Sequence, residues 1–182
     1  MATATASSPT QERRGIVTFK GNPLTLIGPQ LAVGAAAPEF HVLAQDLSTV
    51  TLARSQGKTR LISVVPSVDT PVCDAQTRRF NQEAAQLPNV EILTISMDLP
   101  FAQKRWCGAA GIDRVTLLSD HRDASFGTAY GVLIKELRLL GRAVIVVDGR
   151  GIVRYVEYVP EVTAHPNYDA ALTAVREAAG RP

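Results

Sequence analysis

Three features of this 182-residue chain predict an α/β fold, a central mixed β-sheet flanked by helices. Residues 60–65, 90–96 and 142–148 are near-continuous apolar runs, the pattern of strands covered on both faces. Segments 71–87 and 168–179 place apolar residues at helical spacing, with Phe80, Ala84 and Leu87 in the first and Leu172, Val175 and Ala179 in the second. Strand and helix patterns alternate through the middle of the chain and end in a strand pair and a helix, the order of a parallel unit extended by antiparallel strands.

Each element has its own signal. Residues 1–15 are rich in Ala, Thr and Ser, with charge only at Glu12, Arg13 and Arg14. They lack the apolar centre of a secretory signal and read as a flexible tail. Residues 16–19 and 24–26 form a hairpin around a turn at 20–23. Segments 39–44 and 49–52 read as extended, bracketing the polar residues 45–48. After the strand at 60–65, Pro71 suits a first helical turn, and Pro88-Asn89 stops that helix. The strand at 90–96 leads to a short helix opened by Asp98-Leu99-Pro100 and running to Gly108. A strand at 115–119, a short helix at 124–130, a hairpin turning at 149–151 and a closing helix at 168–179 complete the chain. The order is thioredoxin-like with an added N-terminal β-hairpin, in one domain spanning 16–182.

Composition removes several function classes. With 46% hydrophobic and 20% charged residues, the chain is that of a globular protein rather than a disordered one. A net charge of +2 is too small for a nucleic-acid surface or a polybasic membrane surface. Arg13-Arg14 and Arg78-Arg79 are isolated doublets, not a basic run. No apolar stretch reaches the ~20 residues needed to span a bilayer. The expected compartment is the reducing cytoplasm, where a disulfide is transient and catalytic.

That expectation gives weight to the two cysteines, Cys73 and Cys107. Cys73 follows the strand at 60–65 and opens the first helix. There, free backbone N–H groups and the positive end of the helix dipole favour thiolate over thiol. The bland alternative is a small buried apolar residue, and for Cys107, beside Trp106, plain packing under the sheet. Asp69 and Asp74 read as helix-start carboxylates that cap or meet the dipole. His41, His121 and His165 show no ligand spacing with either cysteine, so no metal is expected. No Gly-x-Gly-x-x-Gly or Walker loop is present, so no nucleotide cofactor is expected.

Pro66-x-x-x-Thr70-x-x-Cys73 resembles the peroxiredoxin active-site signature. The wider run from Pro66 to Cys73 and the segment from Asp98 to Gly108 resemble those of the thiol peroxidase subfamily, the atypical two-cysteine peroxiredoxins. The resemblance spans about residues 19–175. It implies a thiol-specific peroxidase acting on hydrogen peroxide or an alkyl hydroperoxide, with Cys73 as peroxidatic thiol and Cys107 as resolving thiol in an intramolecular disulfide. It also implies recycling by a thioredoxin-type reductant, a homodimer, and an arginine at Arg142. A shorter loop than the subfamily leads one to expect lies at 132–141.

The residues themselves fit that chemistry. Thr70 carries a hydroxyl able to donate toward sulfur or peroxide oxygen. Pro66 has no N–H and a fixed φ, so it shapes and shields a pocket without competing for protons. A guanidinium stays charged and presents a fork of donors to a developing anion. The first product is a sulfenic acid. Cys107 lies about two turns into its own helix, so the start of one or both helices is expected to unwind before a disulfide forms. Two other readings are open: a disulfide oxidoreductase, which normally uses the Cys-x-x-Cys that is absent here, and a peroxide-sensing relay passing oxidation to a partner.

Overall fold

In the computed structural model, which describes residues 11–84 and 86–180, the strand Thr59–Val64 is buried at every position. That explains its unbroken apolar reading. In chain order the strands are β1 Glu12–Phe19, β2 Asn22–Ile27, β3 His41–Leu43, β4 Thr49–Thr51, β5 Thr59–Val64, β6 Val90–Ser96, β7 Thr116–Ser119, β8 Leu133–Ile134, β9 Leu139–Leu140, β10 Ala143–Val147 and β11 Val153–Tyr158. The helices are α1 Pro71–Ala84, α2 Pro100–Ala110, α3 Ser125–Ala129 and α4 Tyr168–Ala179.

Seven strands form the main sheet in the order β11-β10-β5-β6-β7-β3-β4. β5, β6 and β7 are parallel neighbours, and the other pairings are antiparallel. Two successive right-handed crossovers between adjacent parallel strands must lie on the same face of a sheet. Accordingly α1, α2 and α4 share one apolar cluster containing Phe80, Trp106, Leu172 and Val175. α3 packs on the opposite cluster, where Phe126 stacks on Tyr130 and meets Phe40 edge-on. The mixed sheet with helices on both faces is the predicted thioredoxin-like arrangement.

A second sheet, β1-β2-β8-β9, is built on the N-terminal hairpin. Three expectations change here. The hairpin turn is Lys20-Gly21, both at positive φ (51° and 80°), the two-residue turn whose twist suits a hairpin. Asn22 and Pro23 already belong to β2. Pro23 is tolerated because β8 pairs only with Leu26 and Ile27, so its missing N–H breaks no ladder bond. β1 also begins at Glu12, so residues 12–15 of the expected tail are strand, and residues 1–10 lie outside the described residues. A register shift between Arg14 and Val17, with Gly15 at φ 69°, is a bulge that hides the strand's alternation. Finally, residues 132–141 are mostly the hairpin β8–β9, which extends this sheet. Among the described residues no helix is long and apolar enough to cross a membrane.

Candidate active site

Cys73 sits in the first turn of α1 and is fully buried. The chain reaches it from the end of β5 through a turn held by one carboxylate. Asp98 Oδ1 accepts from Ser67 Oγ at 2.7 Å. Its Oδ2 accepts from the Val68 amide at 2.8 Å and from Ser96 Oγ at 2.7 Å. The helix then starts with the Asp74 amide on the Thr70 carbonyl. Asp74 pairs with Arg78 at 2.9 Å, so it works as an i,i+4 partner on the helix surface rather than as a cap.

Arg142 immediately precedes β10, and the pairing of Ala143 with Val64 sets it beside the exit of β5. Arg142 is 3% exposed, and each of its guanidinium nitrogens has a partner. Nη2 lies 3.3 Å from Cys73 Sγ and also donates to the Val162 carbonyl at 2.8 Å. Nε donates to the same carbonyl at 3.1 Å. Nη1 donates to Gln76 Oε1 at 2.8 Å, while Gln76 Nε2 donates to Ser63 Oγ at 2.7 Å. None of these partners is a carboxylate. A buried cation without a carboxylate is costly to desolvate, and among the described residues the Cys73 sulfur is the one side-chain group besides Gln76 that the guanidinium meets.

Pro66, Thr70 and Arg142 line one cavity of about 420 Å³, together with Phe19, Leu137 and Val162. Its wall is almost entirely apolar. Pro66 is buried and Thr70 exposed. The Thr70 hydroxyl donates to the Ser67 carbonyl at 3.2 Å rather than to the sulfur. Arg142, Pro66 and Thr70 therefore share one cavity, and Cys73, buried behind its wall, is joined to it through Arg142.

Cys107 does not join them. It is half-buried, and both cysteines are free thiols. Its sulfur accepts from Gln45 Nε2 at 3.4 Å and borders a separate cavity of about 510 Å³ with Lys104 and Arg54. The Ala102, Arg105 and Trp106 side of α2 instead faces the turn at Ser67–Asp69. Burial pushes the Cys107 thiol up, and the Gln45 bond only partly offsets it. Of the histidines, His121 meets Ser119 Oγ and His165 meets the Tyr168 hydroxyl. Among the described residues no three His, Cys, Asp or Glu side chains gather as a metal site would require.

Three participants are given no role at the site by the sequence. Gln76 stands three residues after Cys73, hence on the same helix face, and that spacing is a usable signal. Asp98 and the Val162 carbonyl reach the site only through the tertiary fold.

The Redoxin family profile matches residues 32–172. The chain is 64% identical over 162 residues to the thiol peroxidase of Halalkalibacterium halodurans, covering 89% of this chain and 98% of that protein. It is 60% identical over 160 residues to the thiol peroxidase of Bacillus subtilis, covering 88% and 96%. Among solved structures it resembles a peroxiredoxin-like protein from Aquifex aeolicus, with a TM-score of 0.83 and 45% identity over 88% of this chain and 95% of that one.

Proposed function

Because the chain belongs to the Redoxin family, we propose that it is a thiol-dependent peroxidase in which Cys73 is the peroxidatic cysteine. The observation that carries the assignment of roles is the Arg142 Nη2 contact with Cys73 Sγ, Arg142 itself lining a cavity with Thr70 and Pro66. The thiolate attacks one peroxide oxygen. The S–O bond forms as the O–O bond breaks, and the departing oxygen takes a proton to leave as water or an alcohol. Arg142 stabilises the sulfur anion and the charge moving onto the leaving oxygen. Thr70 turns its hydroxyl from the Ser67 carbonyl toward the peroxide, and Pro66 screens the thiolate from water. The apolar wall of Phe19, Leu137 and Val162 supports organic hydroperoxides as substrates beside hydrogen peroxide.

The sulfenic acid on Cys73 condenses with the Cys107 thiol, releasing water and leaving an intramolecular disulfide. α2 turns Cys107 toward Gln45 rather than toward Cys73, so this step requires α2, the first turn of α1, or both to unwind. A thioredoxin-type dithiol then reduces the disulfide. The working form in this reading is a cytoplasmic homodimer. The test is peroxide consumption coupled to thioredoxin and its reductase. Wild type is expected to turn over hydrogen peroxide and cumene hydroperoxide, and Cys73→Ser is expected to consume neither. Full activity in Cys73→Ser sinks the proposal.

A further inference from the structure

We propose that Glu161 is a positioning residue for Arg142, acting through the Val162 carbonyl; the inference rests on the peroxidase reading and deepens it. Arg142 is aimed by that carbonyl more than by any other group. It accepts from both Nε and Nη2, and one of those nitrogens, Nη2, is the one that reaches Cys73 Sγ. The direction of the guanidinium toward sulfur therefore depends on where a single loop carbonyl stands.

That loop, between β11 and α4, is bound to the N-terminal hairpin. The Val162 amide donates to the Thr18 carbonyl at 2.9 Å, and the Thr18 amide donates to the Pro160 carbonyl at 2.7 Å. The Val162 side chain is buried among Val17, Leu24, Leu26 and Ile134. The Glu161 carboxylate closes the arrangement with five bonds. Its Oε1 accepts from the Lys20 amide at 3.0 Å, and from the Thr163 amide and hydroxyl at 3.1 and 2.8 Å. Its Oε2 accepts from the Thr18 hydroxyl at 2.7 Å and the Gly21 amide at 3.2 Å. These donors, the Thr18 hydroxyl foremost, hold the carboxyl well below the usual carboxylate range. One side chain thus ties the tip of the hairpin turn to the residues on both sides of the carbonyl that grips Arg142. It also fixes Phe19, Val162 and Thr163, which line the peroxide cavity.

Without this clamp the loop keeps its two backbone bridges to Thr18 but loses the links to the Thr18 hydroxyl, Lys20, Gly21 and Thr163. The Val162 carbonyl is then free to shift, and the guanidinium pivots about its remaining bond to Gln76. Misplacement of a catalytic group by about 1 Å costs up to roughly 100-fold in rate.

The experiment uses the full chain in a Cys107→Ser background, so that only the peroxide step is read. Sulfenic acid formation with hydrogen peroxide is followed by quenched flow and dimedone trapping. The pH profile of Cys73 alkylation by iodoacetamide is measured beside it. Glu161→Ala is expected to slow sulfenic acid formation by roughly tenfold or more and to move the alkylation profile to higher pH. Glu161→Gln keeps one acceptor oxygen and is expected to fall between, which preserves the test if the alanine variant does not fold. Glu136→Ala is the control. Glu136 accepts from the Thr25 amide at 2.9 Å and clamps the same small sheet without touching the Val162 loop. It is expected to lower the thermal midpoint and leave both readouts unchanged. If the folded Glu161 variants match their parent in rate and alkylation profile, the inference is overturned while the peroxidase reading stands. If the parent itself forms no sulfenic acid, the peroxidase reading fails instead.

Discussion

Arg142 and Cys73 meet out of solvent: Nη2 stands 3.3 Å from Sγ, with the two residues 3% and 0% exposed. Lysine cannot reproduce that contact, because an ammonium lacks the fork that holds Val162, Gln76 and sulfur at once. Arg142→Lys is expected to slow sulfenic acid formation by roughly 100-fold, read by dimedone trapping under single turnover. A loss of less than about threefold would move the stabilising role away from Arg142.

Cys107→Ser is expected to make one sulfenic acid per chain and then stop. With thioredoxin and reductase it should show no sustained turnover, and mass spectrometry should find sulfinic acid accumulating on Cys73 as peroxide rises. Normal cycling in this variant would exclude Cys107 as the resolving thiol.

Asp98 accepts from Ser67 and Val68 on the approach to Cys73 and itself lies just before α2, the helix of Cys107. It therefore ties together the starts of the two segments that unwind in the proposed disulfide step. Asp98→Ala is expected to destabilise the reduced fold by about 1–3 kcal/mol. It should also speed disulfide formation after one equivalent of peroxide, timed by loss of free thiol. Slower disulfide formation would show that Asp98 guides the rearrangement rather than restraining it.

Asp120 gives a pH signature separate from the cysteines. Burial pushes its carboxyl up to about 6, although the Gly127 and Phe126 amides donate to it. Below pH 3.8, the ordinary value, folded and unfolded states are both protonated and the native state has its full benefit. As pH rises toward 6, the unfolded chain releases a proton that the native state still holds, so stability falls. The total is about 3 kcal/mol. Urea unfolding of wild type and Asp120→Asn across pH 4–7 measures it. The wild-type stability relative to the variant is expected to drop over pH 4–6 and then level off, and a flat difference would count against it.

The main sheet was legible because its strands are buried on both faces and because helix and strand periods alternate. α4 is found at 168–179 as expected, since Asn167 caps it on the Ala170 amide and its apolar face is regular. The small sheet was only partly legible: a bulge at Gly15 breaks the alternation of β1, and β8 and β9 are two residues each. In the site, Pro66, Thr70 and Cys73 share a short stretch of chain and could be read locally. Arg142 had no local signature and came only through resemblance. The clamp on it could not be read at all, because a carbonyl in the loop at 159–163 carries no residue-type signal and Glu161 looks like any surface carboxylate.

Both thiols project from helices on one side of the main sheet, with Phe80, Trp106 and α4. The other side, with α3, Phe40 and Tyr130, contains neither. Any remodelling that joins the cysteines is therefore a sub-global opening confined to one layer. In the proposed cycle the opposite layer is expected to stay assembled as a template on which the opened helices re-form, so that repeated turnover need not pass through the unfolded state. Substitutions in that second layer are expected to set how long the molecule lasts, and those in the first how fast each cycle runs.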